Sequence, residues 1–241
     1  MTETNKRIEI IDAVRGFSVV MMVAHHGLFN AVAFLGAPSW MHSNPAFSVL
    51  QPFFVGLFVL VSGISSRFSK DNISRGAICL VLAMLVTYVT VRMEMPIYFG
   101  ILHKLGTLML FYGLTRKFWD KIPAKVAPGI FISLILASIA ARMFLSPTSD
   151  NLVIRDLLSV LGFRQRGFVS FDYQPILPGL FIFLLGTWAG KFIKERKFPK
   201  WFYEKTVPVF PAIGRKALLI YIIHQPVLFG LTMLIAYLFS L

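Results

Sequence analysis

The sequence predicts an all-α, polytopic integral membrane protein with about seven transmembrane helices. Of its 241 residues, 56% are hydrophobic, and the mean hydropathy is +0.72. A soluble domain has roughly 45–50% apolar residues, so this chain is too apolar for an ordinary globule. Charged residues make up only 15% of the chain. The apolar residues also fall in long runs, and about 20 helical residues cross the roughly 30 Å hydrocarbon layer of a bilayer.

Each apolar run must be helical in a membrane, because hydrocarbon offers no hydrogen-bond partner to a free backbone amide. Glycine and proline inside the runs are compatible with this prediction, and Pro226 is expected to kink the last helix. The predicted spans are residues 12–35, 46–66, 74–93, 97–116, 125–145, 175–194 and 214–240.

The basic residues predict the orientation of the chain. With a cytoplasmic N-terminus, 18 of the 24 lysines and arginines lie in inner segments and five in outer ones, beginning with Lys6, Arg7 and Arg15 inside. Cytoplasmic loops of membrane proteins are enriched in these residues. We therefore predict that the N-terminus is cytoplasmic and the C-terminus is outside. This distribution also accounts for most of the net charge of +13 without a nucleic-acid partner.

We predict that residues 1–241 form a single transmembrane domain. Its longest outer connection, residues 146–174, contains the helix-like stretch NLVIRDLLSVLGF (151–163). A connection this long is typical of a functional segment, so we expect an extracytoplasmic cap over a cavity. Cys79 is the single cysteine, which excludes an internal disulfide, and the sequence has no Cys/His spacing typical of a metal site.

Ionisable side chains inside a bilayer are costly, and each one is therefore a candidate functional residue. Such residues are few in this chain. Those of the predicted helices, together with the aspartate at the outer mouth of the sixth helix, are Asp12, Arg15, His25, His26, His103, Lys104, His224 and Asp172.

The spacing of Arg15 and His26 places them on one face of the first helix. They are eleven residues apart, which corresponds to about 20° from a whole number of turns and to about 16 Å along the axis. His25 lies about 80° away from that face. A neutral histidine suits general-base work because its pKa is near neutrality, which favours His26 as the base. Asp12, three residues before Arg15, is expected to pair with it.

Lys104 needs water, an acidic partner or a bound anion, because it lies inside a predicted span. Asp172 is the nearest acidic residue by predicted depth. Two interpretations stay open from the sequence. Lys104 either pairs with Asp172 or binds an anionic group of a substrate.

Five stretches resemble the catalytic domain of the heparan-alpha-glucosaminide N-acetyltransferase family, in its short bacterial form. The first stretch also resembles the arginine-plus-histidine motif of the wider transmembrane acyltransferase superfamily, because ten residues separate Arg15 from His26. The resemblance covers nearly the whole chain in the same order. The stretches are IDAVRGFSVVMMVAHHG (11–27), FVLVSGIS (58–65), YFGILHKLG (98–106), FDYQPILPG (171–179) and GRKALLIYIIHQPVL (214–228).

The resemblance implies an acyltransferase of the bacterial cytoplasmic (inner) membrane. It would move an acyl group from cytoplasmic acetyl-CoA, or another acyl-CoA, to an extracytoplasmic sugar or amino sugar, without a metal ion. Membrane lipid, the acyl-CoA and the acceptor are the implied partners, and a homodimer is expected from the family. The resemblance implies His26 as the catalytic residue, with His103, Asp172 and His224 lining the same cavity. We add the adjacent His25 as a candidate catalytic residue and Asn30 and Lys104 as candidate substrate-binding residues. Arg15 and Arg67, at the inner helix ends, are the candidate residues for holding the donor.

The chain departs from the family pattern at several positions. Bacterial forms often have an aspartate at Asn30, an apolar residue at Lys104 and a larger aromatic residue at Gly179. Heparan-acting members have an asparagine at the position of His26, and their catalytic histidine lies further along. His42 is the only histidine near that later region. The acceptor and the identity of the basic histidine therefore stay open.

Two other function classes use the same residues. A proton-coupled transporter or flippase would use them as a proton relay, although the sequence contains no inverted repeat of hydropathy. A non-catalytic membrane partner would use the histidines only to pack helices. Binding of an acyl-CoA distinguishes the enzyme from both alternatives.

Overall fold

The structure is a computed structural model that describes residues 7–239, apart from the side chain of Ser48. Lys6, which contributes to the predicted orientation, lies outside these residues. The described chain is all-α, as predicted. Its helices are α1 (Glu9–Phe34), α2 (Trp40–Ser43), α3 (Pro45–Phe68), α4 (Asn72–Arg92), α5 (Ile101–Trp119), α6 (Ala127–Phe144), α7 (Leu152–Leu161), α8 (Gly179–Lys194), α9 (Lys200–Glu204), α10 (Phe210–Arg215) and α11 (Ala217–Phe239).

Each predicted span corresponds to one long helix of the structure. Within the described residues, five of these helices are long and apolar enough to cross a membrane: α1, α3, α4, α6 and α11. Of the most apolar 18 residues in each, only 11–18% are buried inside the protein, as expected for helices that face lipid. The other two are α5, which carries four basic side chains, and α8, which has 16 residues. The count of seven spans and the orientation of the termini stay predictions.

The described chain divides into two compact units. Unit 1 comprises residues up to Val61 and from Arg196 onwards, and unit 2 comprises Ser62–Glu195. The boundary falls within α3, which continues as one helix across it. The prediction of one domain for the whole chain stays a prediction.

In unit 1, α1 packs against α10 and α11 at very short backbone distances. Two glycines allow this approach. A Cβ atom on Gly16 would lie less than 3.0 Å from the Phe210 carbonyl oxygen, and one on Gly214 would lie equally close to the Asp12 carbonyl oxygen. Because neither glycine has a side chain, the backbones of α1 and α10 can lie this close together in unit 1.

In unit 2, α4 packs against α5, and α8 packs against both α5 and α6. The end of α3 approaches α8 through small residues. A Cβ atom on Gly63 would lie less than 3.0 Å from the Phe183 carbonyl oxygen, and one on Gly190 would lie 2.9 Å from the Ile64 carbonyl oxygen. The sequence SGISS at this helix end thus supports close packing, as small residues do in membrane helices.

The helix predicted inside the long connection is present as α7. The Asn151 side chain accepts hydrogen bonds from the backbone N–H groups of Val153 and Ile154, at 3.0 and 3.2 Å, and so caps its first turn. Gly162 follows the helix with φ of 122°, a value that favours glycine. The Ile176 N–H donates to the Val160 carbonyl oxygen at 2.9 Å, which ties α7 to the segment before α8. The role of this region as a cap stays a prediction.

We expect that Gly16→Ala destabilises the protein, whereas Gly27→Ala on the same helix does not. The new methyl group at residue 16 meets backbone atoms that cannot rotate away, and overpacking of this kind costs about 1–3 kcal/mol. At residue 27 the nearest atom is the Leu228 Cδ2, at an ordinary 3.9 Å, so alanine there is neutral or stabilising by up to about 1 kcal/mol. Melting temperatures in detergent measure both effects, and equal melting of the two variants would contradict the close-packing role of Gly16.

Candidate functional site

Four histidine rings form a continuous cluster in unit 1. His25 and His26 come from α1, His42 from α2 and His224 from α11. The ring centroids are 4.9 Å apart for His42 and His25, 5.8 Å for His25 and His26, and 5.0 Å for His26 and His224. The consecutive helices α1 and α2 and the distant helix α11 therefore bring their imidazoles together.

The backbone of α11 fixes the tautomer of His224. Its Nδ1 lies 2.6 Å from the Tyr221 carbonyl oxygen, one turn earlier in the same helix. A carbonyl oxygen can only accept a hydrogen bond, so Nδ1 carries the hydrogen. In the neutral ring, Nε2 is then the nitrogen with the basic lone pair. The His224 side chain is also buried, which holds that lone pair in a defined place.

Two amide side chains lie beside the histidines. Asn30, one turn after His26 on α1, is only 1% exposed, and Gln225 follows His224 on α11. The Gln225 Nε2 donates to the Asn30 Oδ1 over 3.4 Å. In the described part of the chain, the Asn30 Nδ2 and the Gln225 Oε1 have no hydrogen-bond partner. This amide pair therefore contains one buried donor and one buried acceptor that the described residues do not satisfy.

The beginning of α1 contains the predicted ion pair between Asp12 and Arg15. The Arg15 guanidinium donates to the Asp12 Oδ1 at 2.6 Å, and the Arg7 Nε lies 2.8 Å from the Asp12 Oδ2. Arg15 also reaches the Gly214 carbonyl oxygen at 3.5 Å. Arg15 contacts α10 and His26 contacts α11, and their common face on α1 stays a prediction.

In unit 2, the Arg67 guanidinium donates to the Tyr112 hydroxyl at 2.9 Å and to the Asp120 carboxylate at 2.5 Å. Arg116 approaches the other oxygen of Asp120 at 3.6 Å. A cavity beside this group is lined by Arg67, by the indole rings of Trp119 and Trp188, and by Lys191. It thus combines cationic groups with flat aromatic surfaces.

The two adjacent residues His103 and Lys104 face different neighbours. The Nε2 of His103 lies 3.4 Å from the hydroxyl of Thr87 on α4, and its ring contacts Phe99. Lys104 is buried and lies against Gly179, the first residue of α8. The ion pairs of the described residues do not include one between Lys104 and Asp172. The contacts of His103 with Thr87 and Phe99 resemble those of a histidine that packs two helices together.

The predicted site residues are distributed over both units. Unit 1 contains Arg15, His25, His26, Asn30 and His224, and unit 2 contains Arg67, His103, Lys104 and Asp172. The sequence pointed to His42 only as the one histidine near the later catalytic position of the family, and no role was predicted for Gln225, Tyr112 or Asp120. The sequence contains a weak indication for two of these residues. His42 is the one histidine of the α1–α3 connection, and Gln225 is a polar residue inside a long apolar run.

A sequence model of the catalytic domain of heparan-alpha-glucosaminide N-acetyltransferase matches residues 7–226, which is most of the chain. The chain belongs to this family. Membership in the heparan-alpha-glucosaminide N-acetyltransferase family, together with the apolar helices, indicates a membrane acetyltransferase. Comparison with curated proteins and with solved structures gives no match.

Within residues 7–239, no group of three or more histidine, cysteine, aspartate or glutamate side chains is arranged to hold a metal ion.

We expect that Tyr112→Phe weakens the protein, because it removes the hydroxyl that accepts from the buried Arg67 guanidinium. Hydrogen bonds to charged groups contribute about 1.5–3 kcal/mol, and the phenylalanine ring keeps the packing of Tyr112. Tyr88→Phe is the matched control, because Tyr88 is exposed on α4. Thermal melting compares the two. A Tyr112→Phe protein as stable as the Tyr88→Phe protein would mean that this hydrogen bond does not support Arg67.

Proposed function

We propose that this protein transfers an acetyl group, or another acyl group, from a cytoplasmic acyl-CoA to a sugar or amino sugar outside the membrane. Family membership over residues 7–226 is the observation that carries the proposal. The histidine cluster of unit 1 supplies the base. The bacterial cytoplasmic (inner) membrane as location, and a homodimer as assembly, belong to the same proposal and rest on the resemblance to the family.

The proposed chemistry is general-base catalysis by an imidazole. The base removes a proton from the acceptor amine or hydroxyl, whose nitrogen or oxygen bonds to the thioester carbonyl carbon. The bond between carbon and sulfur breaks, and the imidazolium returns the proton to the leaving thiolate. His26 is the proposed base. His224 is the second candidate, because its bond to the Tyr221 carbonyl leaves Nε2 as the basic nitrogen.

The charges around Arg15 and Arg67 support their proposed role in holding the donor. Asp12 is shared between Arg7 and Arg15, and Asp120 is shared between Arg67 and Arg116. One carboxylate cannot neutralise two guanidinium groups, so each group keeps an excess positive charge. Coenzyme A carries phosphates, and arginine is well suited to phosphate recognition.

The amides of Asn30 and Gln225 support a hydroxyl-bearing acceptor. A sugar hydroxyl accepts from the Asn30 Nδ2 and donates to the Gln225 Oε1, which satisfies both groups at once. Buried polar groups without partners are costly, so this pair favours an acceptor that can do both. We propose that Asn30 and Gln225 orient the acceptor beside His26.

The decisive experiment compares wild-type protein with His26→Ala and His224→Ala in detergent. We expect His26→Ala to lower the rate of acetyl transfer from acetyl-CoA to an amino-sugar mixture by about 10²–10⁴-fold, because it removes the base. Melting temperature and acetyl-CoA binding are the controls and should not change. If only His224→Ala lowers the rate, His224 is the base.

A wild-type protein that neither binds nor turns over any acyl-CoA would contradict the acyltransferase proposal. Proton-coupled uptake of a solute without acyl-CoA would then favour the transporter. If His26→Ala lowers the melting temperature and no acyl-CoA activity exists, the histidines only pack helices. Each result thus selects one of the three function classes.

The role of Gln225 gives a separate prediction. Gln225→Met keeps the size of the side chain and removes both of its hydrogen-bonding groups. We expect it to lower kcat/KM for a hydroxylated acceptor by roughly tenfold, which is the effect of one neutral hydrogen bond, while acetyl-CoA hydrolysis stays unchanged. Gln51→Met on α3 is the matched control. Equal loss for hydroxylated and non-hydroxylated amines would contradict a role in hydroxyl recognition.

A further inference from the structure

Lys104 carries a buried positive charge that forms no ion pair with the described residues. The residue belongs to α5 and is only 5% exposed. Buried lysines are rare unless they are paired, because the ammonium group loses its hydration. A bound anionic ligand or a neighbouring negative charge would therefore stabilise Lys104 in its charged form.

The charged groups around Lys104 do not balance it. Asp172 and Arg142 both act electrostatically on the Lys104 ammonium, one attracting and one repelling it. The Asp172 Oδ1 accepts from the Gln174 side chain at 3.3 Å. The Arg142 guanidinium donates to the carbonyl oxygens of Gly162 and Leu177, at 3.2 and 3.1 Å. The Lys104 ammonium is therefore close enough to feel one carboxylate and one further cation, and it forms an ion pair with neither in the described residues.

The start of α8 lies directly beside the ammonium. A Cβ atom on Gly179 would lie 3.2 Å from the Lys104 Nζ, so the lysine side chain occupies the space next to this glycine. The N–H groups of Leu180 and Phe181 donate to carbonyl oxygens of the preceding turn. The Gly179 N–H has no acceptor in the described part of the chain, and Pro178 provides no side-chain cap. Within the described residues, the Gly179 N–H is therefore the group of the first turn of α8 that can still donate a hydrogen bond beside Lys104.

We propose that Lys104 and the first turn of α8 form a binding site for one oxyanion group, either a carboxylate or a phosphate. Such a group accepts hydrogen bonds from the Lys104 ammonium and from the Gly179 N–H together. Arg142 adds positive potential and keeps its own bonds to the loop carbonyls. The group belongs to a free small molecule or to a lipid headgroup, because both carry the same chemistry.

The test uses the full-length protein in a neutral detergent and does not depend on acyl transfer. Wild type is compared with Lys104→Met and with Lys117→Met, a control for an exposed lysine on the same helix. Melting temperature is measured while phosphate or acetate replaces chloride at constant ionic strength. In parallel, phosphatidylglycerol is added and compared with phosphatidylcholine.

Without added oxyanion we expect Lys104→Met to melt above wild type, because it removes an uncompensated buried charge. With oxyanion, wild type and Lys117→Met should rise in melting temperature, and Lys104→Met should not, because only a folded protein with the site binds the anion. A rise with phosphate or acetate identifies a free anion. A rise with phosphatidylglycerol alone identifies a lipid headgroup.

Gly179→Ala is a second variant that keeps the lysine. Its methyl group takes the space within 3.2 Å of the Nζ, so we expect the response to oxyanion to disappear while the charge remains. Equal stabilisation of all variants would mark a general salt effect and overturn the proposal. No response of wild type to any probe would overturn it too. Neither result affects the acyltransferase proposal, which is tested by acetyl transfer.

Discussion

Hydrocarbon offers no hydrogen bonds, so the polar groups of the membrane-spanning helices must find their hydrogen-bond partners within the protein. Backbone amides satisfy this requirement by forming helices, which is why the described residues contain no other regular structure. Side chains satisfy it with partners from distant parts of the sequence. Arg67 bonds to Tyr112 and Asp120, which are 45 and 53 residues away. The polar contacts of each unit therefore determine which helices must lie together.

Carboxylates are scarce in this chain and cations are not, with 11 acidic residues against 24 basic ones. In two of the ion-pair groups of the described residues, one aspartate pairs with two arginines, as Asp12 and Asp120 both do. A group of one aspartate and two arginines is held together by its ion pairs and still has a net positive charge. Structural anchoring and anion binding are then compatible in the same residues, since the first uses the carboxylate and the second uses the remaining charge.

The fold was largely predictable from the sequence because hydropathy and helical spacing, which determine it, are local properties of the chain. Hydropathy located every long helix, and the three-residue spacing of Asp12 and Arg15 predicted their ion pair. Contacts between distant segments were not predictable. The spacing of Arg15 and His26 indicates a face of α1, but nothing in it says that His224 lies opposite. The ring contact of His25 with His42 depends on the turn after α1, and loop geometry is weakly encoded in hydropathy.

Residues 104 and 179, at which the sequence predicts departures from the family pattern, lie in one contact of this chain. The lysine side chain extends across the surface of the glycine, with its Cδ, Cε and Nζ all 3.1–3.3 Å from the place of the missing Cβ. An aromatic ring at residue 179 would occupy the space that Lys104 fills. The glycine at residue 179 therefore makes room for the lysine, and a lysine at residue 104 without this glycine would have no space for its ammonium group.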